Sequence, residues 1–397
     1  MSRSVFSSLF FLFATYFTAL SQAPDSWAQK NNFTGSARYT ASSFSLHDFG
    51  YIVLGEDAGG YRKDCWKYDA INDSWSQVAD FAGSSRCRAS AFVIDSLAYI
   101  ACGLDSSGFA NDCWSYSDAA NFWTGVAPLP AAARSFAAGF SVNGKGYLVA
   151  GESASGLMRD CWQYDPSFNS WMIVDSFPGT ARKFPVAFSI NGKGYAGTGY
   201  DINFHYTKDF YQYDPLSNAW SAVTSFGGAI RWGANGFSIA GYGFVCNGFY
   251  QNNFFNDIWQ LDPVANSWTQ KTSYTGAARS HAISFVSDLK AYIATGSDNQ
   301  FLNDVWEYTP DLSPVNILSH ANVDDIKVHC NQHQLAIDVP NDFSPSNIIL
   351  YDLSGKKFLN SKVFKSEQYR LLLPSGIYLW NLLEDGKQIQ SGKVFIK

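Results

Sequence analysis

Charged residues are scarce in this chain, and basic residues are scarcer than acidic ones. Of its 397 residues 16% are charged, with 28 Lys and Arg against 34 Asp and Glu, which gives a formal net charge of −6. The chain therefore lacks the basic excess of a nucleic-acid-binding protein, because an acidic surface repels phosphate. Disorder is excluded as well, because aromatic residues make up 17% of the sequence and can fill a core.

Long apolar segments are missing except at the N-terminus. The stretch 5–20 is mostly apolar and follows Arg3, and Ala19 and Ser21 supply the small residues of a cleavage site before Gln22. No later stretch approaches the ~20 apolar residues of a membrane-spanning helix. The sequence therefore predicts a signal peptide over residues 1–21, export of the remaining chain, and no transmembrane span.

Sequence motifs that bind metals or carry out catalysis are also missing. No Cys/His spacing resembles a zinc site. No Gly-x-Ser-x-Gly, Walker-type loop or His-Glu-x-x-His occurs. We therefore expect neither a metal nor a cofactor.

The seven cysteines are an odd number, and three of them share one repeat position with apolar residues. The residues at that position are Cys65, Cys113, Cys161, Phe210, Ile258 and Val305. A position that alternates between Cys and aliphatic or aromatic side chains predicts buried, unpaired thiols. A disulfide between Cys102 and Cys113 across a hairpin stays open as an alternative.

What the chain has in quantity is a pattern that recurs about every 48 residues, in three registers. An aromatic register, stepping by 47 to 49 residues, consists of Trp66, Trp114, Trp162, Tyr211, Trp259 and Trp306. A tryptophan register consists of Trp27, Trp75, Trp123, Trp171, Trp220 and Trp268. An arginine register, in which a Phe follows six residues after each member, consists of Arg38, Arg86, Arg134, Arg182, Arg231 and Arg279. Chance does not hold three registers over this length, so the chain is built from repeats.

Each unit predicts four short strands. In the third unit the first strand runs from Arg134 to Phe140, and the second ends at Gly151, where a fixed glycine suggests a positive φ. The third strand, 160–165, alternates apolar and polar residues, and the fourth opens at 169–171 after a polar turn. Four strands per unit of this length predict a β-propeller blade.

The phase of the registers predicts how the ring closes. Trp27 precedes any complete unit, and nothing aromatic lies nine residues past Trp306. The strand around Trp27 should therefore complete the last blade, which removes an exposed sheet edge. The sequence thus predicts an all-β chain with a six-bladed propeller of four-stranded blades over residues 22–310. An unclosed ring with Trp27 in a loose tail is the alternative.

The spacing of the aromatic pairs resembles kelch repeats. The pairs Trp66 and Trp75, Trp114 and Trp123, and Trp162 and Trp171 each follow a glycine that ends a second strand. The resemblance covers about residues 26–310, with a single glycine where kelch repeats usually have two. It implies a kelch-type propeller, a fold that hosts enzymes and binding modules alike.

The repeat stops after Pro310, and residues 313–397 predict a small antiparallel β-sandwich with polar turns. The segments 352–356, 373–378 and 392–397 resemble the C-terminal sorting domain of type IX secretion substrates. The Tyr-Pro-Asn-Pro-like opening of that family is missing. The resemblance implies that the type IX machinery is a partner and that the protein is secreted by, or displayed on, a Bacteroidetes-type bacterium. A generic stabilising β-domain is the alternative.

The six arginines allow two interpretations. They could ring one mouth of the channel and attract an anion. Alternatively, each pairs with the acidic residue of one further series: Asp64, Asp112, Asp160, Asp209, Asp257 and Asp304. Because both series occur in all six units, the structural interpretation is favoured.

Residues that break the repeat near the start of the first strand are the candidates for ligand binding. The candidate face consists of Glu56, Arg62, Glu152, Arg159, Lys183, His205, Tyr206, Trp232 and His281. Aromatic rings that stack and carboxylates that accept hydroxyl protons suit a sugar. Ordinary loop composition is the alternative for any single residue.

The sequence therefore favours a binding module for a glycan or a protein over an enzyme. A carbohydrate-active enzyme similar to the exported six-bladed sialic-acid mutarotases is the alternative, with Glu56 or Glu152 and a ring Arg as its acid/base and carboxylate-binding groups. Copper chemistry like that of galactose oxidase is disfavoured, because the propeller has only His47, His205 and His281. The Ser-x-Asp-x-Gly-x-x-Trp boxes of sialidases do not occur.

Overall fold

The computed structural model of the protein describes residues 24–312 and seven further strands between Lys327 and Ile396. The predicted signal peptide lies outside the described residues. All regular elements of the described residues are β-strands. The prediction of an all-β chain is confirmed.

Residues 24–312 contain 32 strands. The strands of the first half are β1 (Ser26–Lys30), β2 (Ser42–Leu46), β3 (Phe49–Val53), β4 (Glu56–Asp57), β5 (Gly60–Tyr61), β6 (Cys65–Asp69), β7 (Ser74–Val78), β8 (Arg86–Cys87), β9 (Ser90–Ile94), β10 (Leu97–Ala101), β11 (Leu104–Asp105), β12 (Gly108–Phe109), β13 (Cys113–Ser117), β14 (Phe122–Val126), β15 (Arg134–Ser135) and β16 (Ala138–Val142). The strands of the second half are β17 (Lys145–Ser153), β18 (Gly156–Asp165), β19 (Ser170–Val174), β20 (Val186–Ile190), β21 (Lys193–Gly197), β22 (Phe210–Asp214), β23 (Ala219–Val223), β24 (Asn235–Ile239), β25 (Tyr242–Cys246), β26 (Phe249–Tyr250), β27 (Asn253–Phe254), β28 (Ile258–Asp262), β29 (Ser267–Lys271), β30 (Ile283–Ser287), β31 (Lys290–Ala294) and β32 (Val305–Thr309).

Each repeat builds one antiparallel sheet, and we number these sheets 1 to 6 in chain order. From the first strand to the fourth they are β2-β3-β6-β7, β9-β10-β13-β14, β16-β17-β18-β19, β20-β21-β22-β23, β24-β25-β28-β29 and β30-β31-β32-β1. The remaining short strands belong to loops beside these sheets. The first strands contact one another in a closed cycle, in the order β2, β9, β16, β20, β24, β30 and back to β2. The sheets therefore form a ring with their first strands innermost.

Neighbouring sheets interlock through the repeat phenylalanine. Phe92 stacks on Tyr99 of its own sheet with ring centroids 5.3 Å apart. The same ring lies against Gly146 of sheet 3, where an added Cβ would be 2.1 Å from Phe92 Cε2. Phe285 of sheet 6 meets Gly50 of sheet 1 in the same way. Each sheet thus accepts an aromatic ring from the preceding one, around the whole ring.

The fourth strands are tied to the preceding sheet by side-chain hydrogen bonds. Asn121 Oδ1, just before β14, accepts from Ala79 N at 2.8 Å and from Tyr116 Oη at 3.0 Å. Trp123 Nε1 donates to Ala79 O at 3.0 Å. The residues equivalent to Asn121 that also accept a backbone N–H from the preceding sheet are Asp25, Asp73, Asn169, Asn218 and Asn266.

The N-terminal strand β1 lies in the last sheet. It pairs with β32 in a register that places Trp27 opposite Tyr308. Asp25 accepts from Thr272 N at 3.2 Å and from Tyr308 Oη at 2.8 Å. Both ends of residues 24–312 therefore meet in one sheet.

The first strands begin later than the sequence predicts. In the third unit Arg134 and Ser135 form the separate strand β15, and the inner strand β16 starts at Ala138. Phe136 between them has φ 56°. The prediction of one strand from Arg134 through Phe140 was wrong, because the backbone turns at Phe136 while the arginine side chain points into the sheet.

The C-terminal strands are β33 (Lys327–Asn331), β34 (Gln334–Asp338), β35 (Ser346–Asp352), β36 (Lys357–Val363), β37 (Glu367–Arg370), β38 (Gly376–Glu384) and β39 (Lys387–Ile396). They form two antiparallel sheets, β33-β34-β37 and β36-β35-β38-β39. Ile348, Leu350 and Trp380 are buried.

Candidate functional site

One end of the six sheets carries the loops between the second and third strands, and we call it the loop face. The six repeat arginines lie there and are buried. Arg134 donates to the two carboxylate oxygens of Asp160 at 2.6 and 2.9 Å, and Trp162 Nε1 donates to the same carboxylate at 2.7 Å. Burial alone would raise the pKa of Asp160, but the hydrogen bonds and charge of Arg134 lower it below its usual value.

The same ion pair occurs in every sheet. The pairs are Arg38–Asp64, Arg86–Asp112, Arg134–Asp160, Arg182–Asp209, Arg231–Asp257 and Arg279–Asp304. Each guanidinium also donates to a backbone carbonyl 16 residues on, at the end of the second strand. The arginines are therefore held inside the sheets and do not line a channel mouth.

The residues two positions after these arginines surround the axis of the ring, and we call them the axial ring. They are Thr40, Arg88, Phe136, Phe184, Gly233 and His281, and all have positive φ. Five backbone hydrogen bonds of 2.8 to 3.2 Å link successive members, for example from Arg88 N to Thr40 O at 2.9 Å. A positive φ at Arg or Phe is a strained conformation, which these bonds hold in place.

Side chains of the axial ring close the axis at the loop face. Phe136 and Phe184 lie with ring centroids 3.8 Å apart, and Arg88 lies over Phe136 at 4.7 Å. His281 packs against Phe184 at 5.0 Å. Burial, reinforced by the charge of Arg88, lowers the pKa of His281 to about 3, so its imidazole is neutral at physiological pH.

An aromatic surface extends from this plug over the loops of sheets 4 and 5. We call it the aromatic platform, and it consists of Tyr200, Phe204, Tyr206, Trp232, Phe249 and Tyr250. Successive rings are in contact: Trp232 with Tyr200 at 5.5 Å, Tyr200 with Tyr206 at 5.5 Å, and Tyr206 with Tyr250 at 5.1 Å. Trp232 also contacts His281 of the axial ring at 4.8 Å.

The outer tip of the platform is its most exposed part. Ile202 and Phe204 are 68% and 69% exposed. Beneath them Asp201 is buried, and its carboxylate accepts the backbone N–H groups of Asn203 and His205 at 2.9 and 3.0 Å. Asp201 thus fixes the loop that presents Phe204 to solvent. His205 is exposed beside it, with Nδ1 3.4 Å from the Asp201 carboxylate.

A half-buried ion pair borders the platform. Lys183 Nζ donates to Glu152 Oε1 at 2.8 Å and lies 5.2 Å from the ring centre of Tyr200. Burial alone would lower the pKa of Lys183, but the hydrogen bonds to Glu152 and Tyr200 raise it above its ordinary value. The pair adds one carboxylate and one ammonium to the edge of an apolar surface.

Glu56 lies on the other side of the axis. Its Oε2 accepts from Tyr39 Oη at 3.1 Å and lies 3.9 Å from Arg88 Nη2. The Tyr39 ring is 5.8 Å from His281, so Glu56 is connected to the axial ring but not to the platform.

Arg62 and Arg159 stand apart from these groups. Arg62 donates to Asp57 at 2.5 Å and lines an open depression of about 370 Å³ together with Tyr61, Lys63 and Asp80. Arg159 is exposed on β18. Of the nine predicted face residues, the structure brings together Lys183, Glu152, His205, Tyr206, Trp232 and His281.

Metal-binding clusters and disulfides do not occur where the structure describes side chains. No group of three or more His, Cys, Asp or Glu residues is placed to hold a metal ion among the described residues. Cys102 and Cys113 are buried and free, so the bridge left open from the sequence does not form. In the described part of the chain, no helix is long and apolar enough to cross a membrane.

Sequence reasoning missed Arg88, Phe136 and Phe184, which close the axis. The sequence does show that this position varies, because the position two residues after each repeat arginine holds five different residue types in six units, within an otherwise constant register. The sequence repeat does not show that the backbone turns at this position and brings these six residues together around the axis.

Comparisons with known proteins give a match at the level of fold. No protein-family model matches the chain, and no curated protein sequence matches it. The solved structure of YjhT, a kelch-type β-propeller, matches with a TM-score of 0.58 and 16% sequence identity, over 69% of this chain and 94% of YjhT. The chain therefore has a kelch-like β-propeller fold.

Proposed function

We propose that the protein is a six-bladed kelch propeller that binds a glycan through the aromatic platform of its loop face. The observation that supports this most directly is the contact series of aromatic rings that ends at exposed Phe204. Sugar rings have apolar C–H faces that pack on aromatic rings, and hydroxyls that hydrogen-bond to polar groups at the edge of such a surface.

The repeat supplies an internal comparison for this site. The residue after the second-strand glycine is Glu56, Leu104, Glu152, Tyr200, Phe249 or Ser297. Only the fourth and fifth units carry an aromatic ring there. Residues that all six units share are explained by the fold, whereas we attribute the aromatic residues at this one position of two adjacent units, Tyr200 and Phe249, to a ligand.

Polar groups suited to sugar hydroxyls lie at the platform edge. The Lys183–Glu152 pair provides a donor and an acceptor in one place. The hydroxyls of Tyr206 and Tyr250 and the exposed His205 imidazole add further hydrogen-bonding groups. A mixed-charge edge of this kind suits a neutral glycan better than a strongly charged one.

The closed axis supports binding rather than catalysis. An acid/base enzyme built on Glu56 or Glu152 needs a pocket in which an Arg reaches the same substrate. The repeat arginines are paired inside the sheets, Glu152 is paired with Lys183, and Phe136 and Phe184 occupy the axis. A carbohydrate-active enzyme of the mutarotase kind remains the alternative, with Glu56 and Arg88 as its candidate groups.

The experiment for this proposal combines a glycan array with a catalytic assay on the full chain. We expect binding to a subset of glycans and unchanged anomerisation rates of free sugars by NMR. Accelerated anomerisation would replace the binding proposal with the enzymatic alternative. An array without any bound glycan would contradict glycan recognition.

We further propose that the protein is exported and released or displayed at the bacterial surface through residues 313–397 acting as a type IX sorting domain folded as a β-sandwich. The motifs quoted above and the contact between strands β33 and β39 of the two C-terminal sheets support this. The test is to express the tagged chain, with and without residues 313–397, in a bacterium that has the type IX machinery. We expect surface or medium localisation only for the intact chain; equal export of both would contradict the proposal.

A further inference from the structure

A polar depression lies on the loop face beside sheet 1, on the side of the ring opposite the aromatic platform. Its volume is about 370 Å³, which is within the range of small-molecule binding sites. One wall is formed by residues 61–64, just before β6, and the other includes Asp80 and Ser85 from the connection between sheets 1 and 2. Phe81 N donates to Lys63 O at 2.8 Å and so joins the two walls. The depression therefore has fixed walls and room for a small molecule.

The charged residues of this depression break the repeat. The position of Arg62 is uncharged in the other five units, which hold Ala110, Met158, Thr207, Phe255 and Leu302. The position of Asp80 is also uncharged in the other five units, which hold Pro128, Ser176, Ser225, Ser273 and Asn32. The position of Lys63 is basic in two further units, at Arg159 and Lys208. The repeat fold therefore does not require the combination of Arg62, Lys63 and Asp80.

Arg62 is held in place by a buried carboxylate. Asp57 is 6% exposed and accepts from Arg62 Nε at 2.5 Å and from Gly59 N at 2.8 Å. This contact uses only Nε, and the two Nη atoms of Arg62 donate to no other group among the described residues. A guanidinium that is fixed at Nε and free at both Nη atoms offers parallel N–H donors to a carboxylate.

Lys63 and Asp80 are charged groups without an ion partner in the part of the chain that the structure describes. Lys63 is exposed, and its ammonium forms no ion pair there. Asp80 is exposed and accepts from Gln77 Nε2 at 3.0 Å through one carboxylate oxygen. Asp64, in contrast, accepts from Arg38 at both oxygens. The depression thus has available positive groups on one wall and an available carboxylate on the other.

We propose that this depression binds a free amino acid, whose carboxylate contacts Arg62 and Lys63 and whose ammonium contacts Asp80. The lining carries two positive charges, on Arg62 and Lys63, and two negative charges, on Asp64 and Asp80. A ligand of one sign therefore gains little from the net charge, whereas a zwitterion complements both walls. A neutral sugar would displace water from Lys63 and Asp80 without supplying an opposite charge.

The test is calorimetric titration of the full-length protein with the common free amino acids, up to about 10 mM. The N-acetyl and amide derivatives of the best ligand are then titrated, because acetylation removes the ammonium and amidation removes the carboxylate. We expect each derivative to bind at least ~10-fold more weakly, since each loses hydrogen bonds between charged groups. No binding of any amino acid, or equal binding of either derivative, would overturn the proposal.

The matched variants are Lys63→Gln and Asp80→Asn. Both side chains are exposed, so both variants should keep the fold, which circular dichroism checks. Arg62 is left intact, because its removal would leave buried Asp57 without its partner. Each variant should weaken amino-acid binding at least ~10-fold.

The control is Lys208→Gln, which makes the same change at the same repeat position of sheet 4, where the side chain is also exposed. It should leave amino-acid binding unchanged. An unchanged affinity in Lys63→Gln, or an equal loss in Lys208→Gln, would overturn the proposal. Glycan binding at the platform should be the same in Lys63→Gln and the wild type. A glycan that Lys63→Gln no longer binds would show that the depression takes a sugar, and would also overturn the proposal.

Discussion

At the scale of single residues, the repeat arginines and the residues two positions after them differ in role although they are near neighbours. The residue at the Arg134 position is an arginine in all six units, and Arg134 is buried in a bidentate ion pair with Asp160. Phe136 differs from its counterparts and reaches the axis. Residues that are the same in all six units therefore hold the fold together. Residues that differ between units at one repeat position give the loop face its particular surface.

The buried arginine predicts a large loss of stability on truncation. Arg134→Met leaves the Asp160 carboxylate half-buried without its partner, which costs about 3–5 kcal/mol. Lys145→Met breaks the more exposed Lys145–Asp165 pair of the same sheet and costs at most about 1 kcal/mol. Urea denaturation of both variants measures the difference. Equal midpoints would show that the buried pair is not needed for the fold.

The neutral state of His281 predicts a dependence of stability on pH. Its pKa is about 3 in the folded protein, below the ordinary value of 6.5, so the unfolded chain binds the proton more readily. Stability is therefore full above pH 6.5 and falls as the pH drops, by up to about 1.4 kcal/mol per unit. Below pH 4 the paired carboxylates such as Asp160, whose pKa values are lowered, begin to add their own loss.

The variant His281→Phe isolates this contribution. Between pH 6.5 and pH 4 it should show a flatter decline of the denaturation midpoint than the wild type, because Phe cannot take up a proton. Parallel curves for the two proteins in that window would contradict the assignment to His281.

At the scale of elements, the fourth strand of sheet 6 is the one outer strand of the ring that no short turn connects to its own sheet. β1 joins β32 from the other end of residues 24–312. Its contacts copy those of the other fourth strands: Trp27 Nε1 donates to Thr272 O at 2.5 Å, as Trp220 Nε1 donates to Asp175 O at 2.9 Å. What differs is the chain connection, which leaves β1 free to detach without unfolding another strand.

This difference predicts an asymmetry between equivalent substitutions. Trp27→Ala and Trp220→Ala remove the same side chain from the same repeat position. Trp27→Ala should release β1 and speed amide exchange in β32 at least ~10-fold more than Trp220→Ala does in β22, because the short turn to β22 keeps β23 in place. Hydrogen exchange with mass spectrometry compares the two. Similar exchange in β32 and β22 would mean that β1 is held as firmly as a connected strand.

At the scale of the whole molecule, the sequence repeat predicted the class of fold, because the residues that recur are the ones that packing needs in every unit. The all-β class and the kelch-like fold follow from registers of Trp, Arg and Gly that packing requires in every unit. The glycine that ends the second strand has positive φ in all six units, as its constancy predicts. The repeated residues therefore allow the scaffold to be predicted from the sequence.

The site was predicted only in part, because it depends on distances between units. Lys183 and Glu152 lie 31 residues apart and meet only through the curvature of the ring. Arg62 and Arg159 have the right chemistry but lie away from the platform. The sequence identifies variable positions, whereas the structure decides which of them face one another.

The central claim is that the aromatic platform binds a glycan, and calorimetric titration of the best array ligand tests it directly. Phe204→Ala removes an exposed ring of the platform, whereas Phe122→Ala removes a ring of similar exposure from the outer strand β14, 69% against 64%. We predict that Phe204→Ala weakens binding about tenfold, or ~1.4 kcal/mol, and that Phe122→Ala leaves it unchanged. Equal affinities of the wild type and Phe204→Ala, or an equal loss in both variants, would contradict the account.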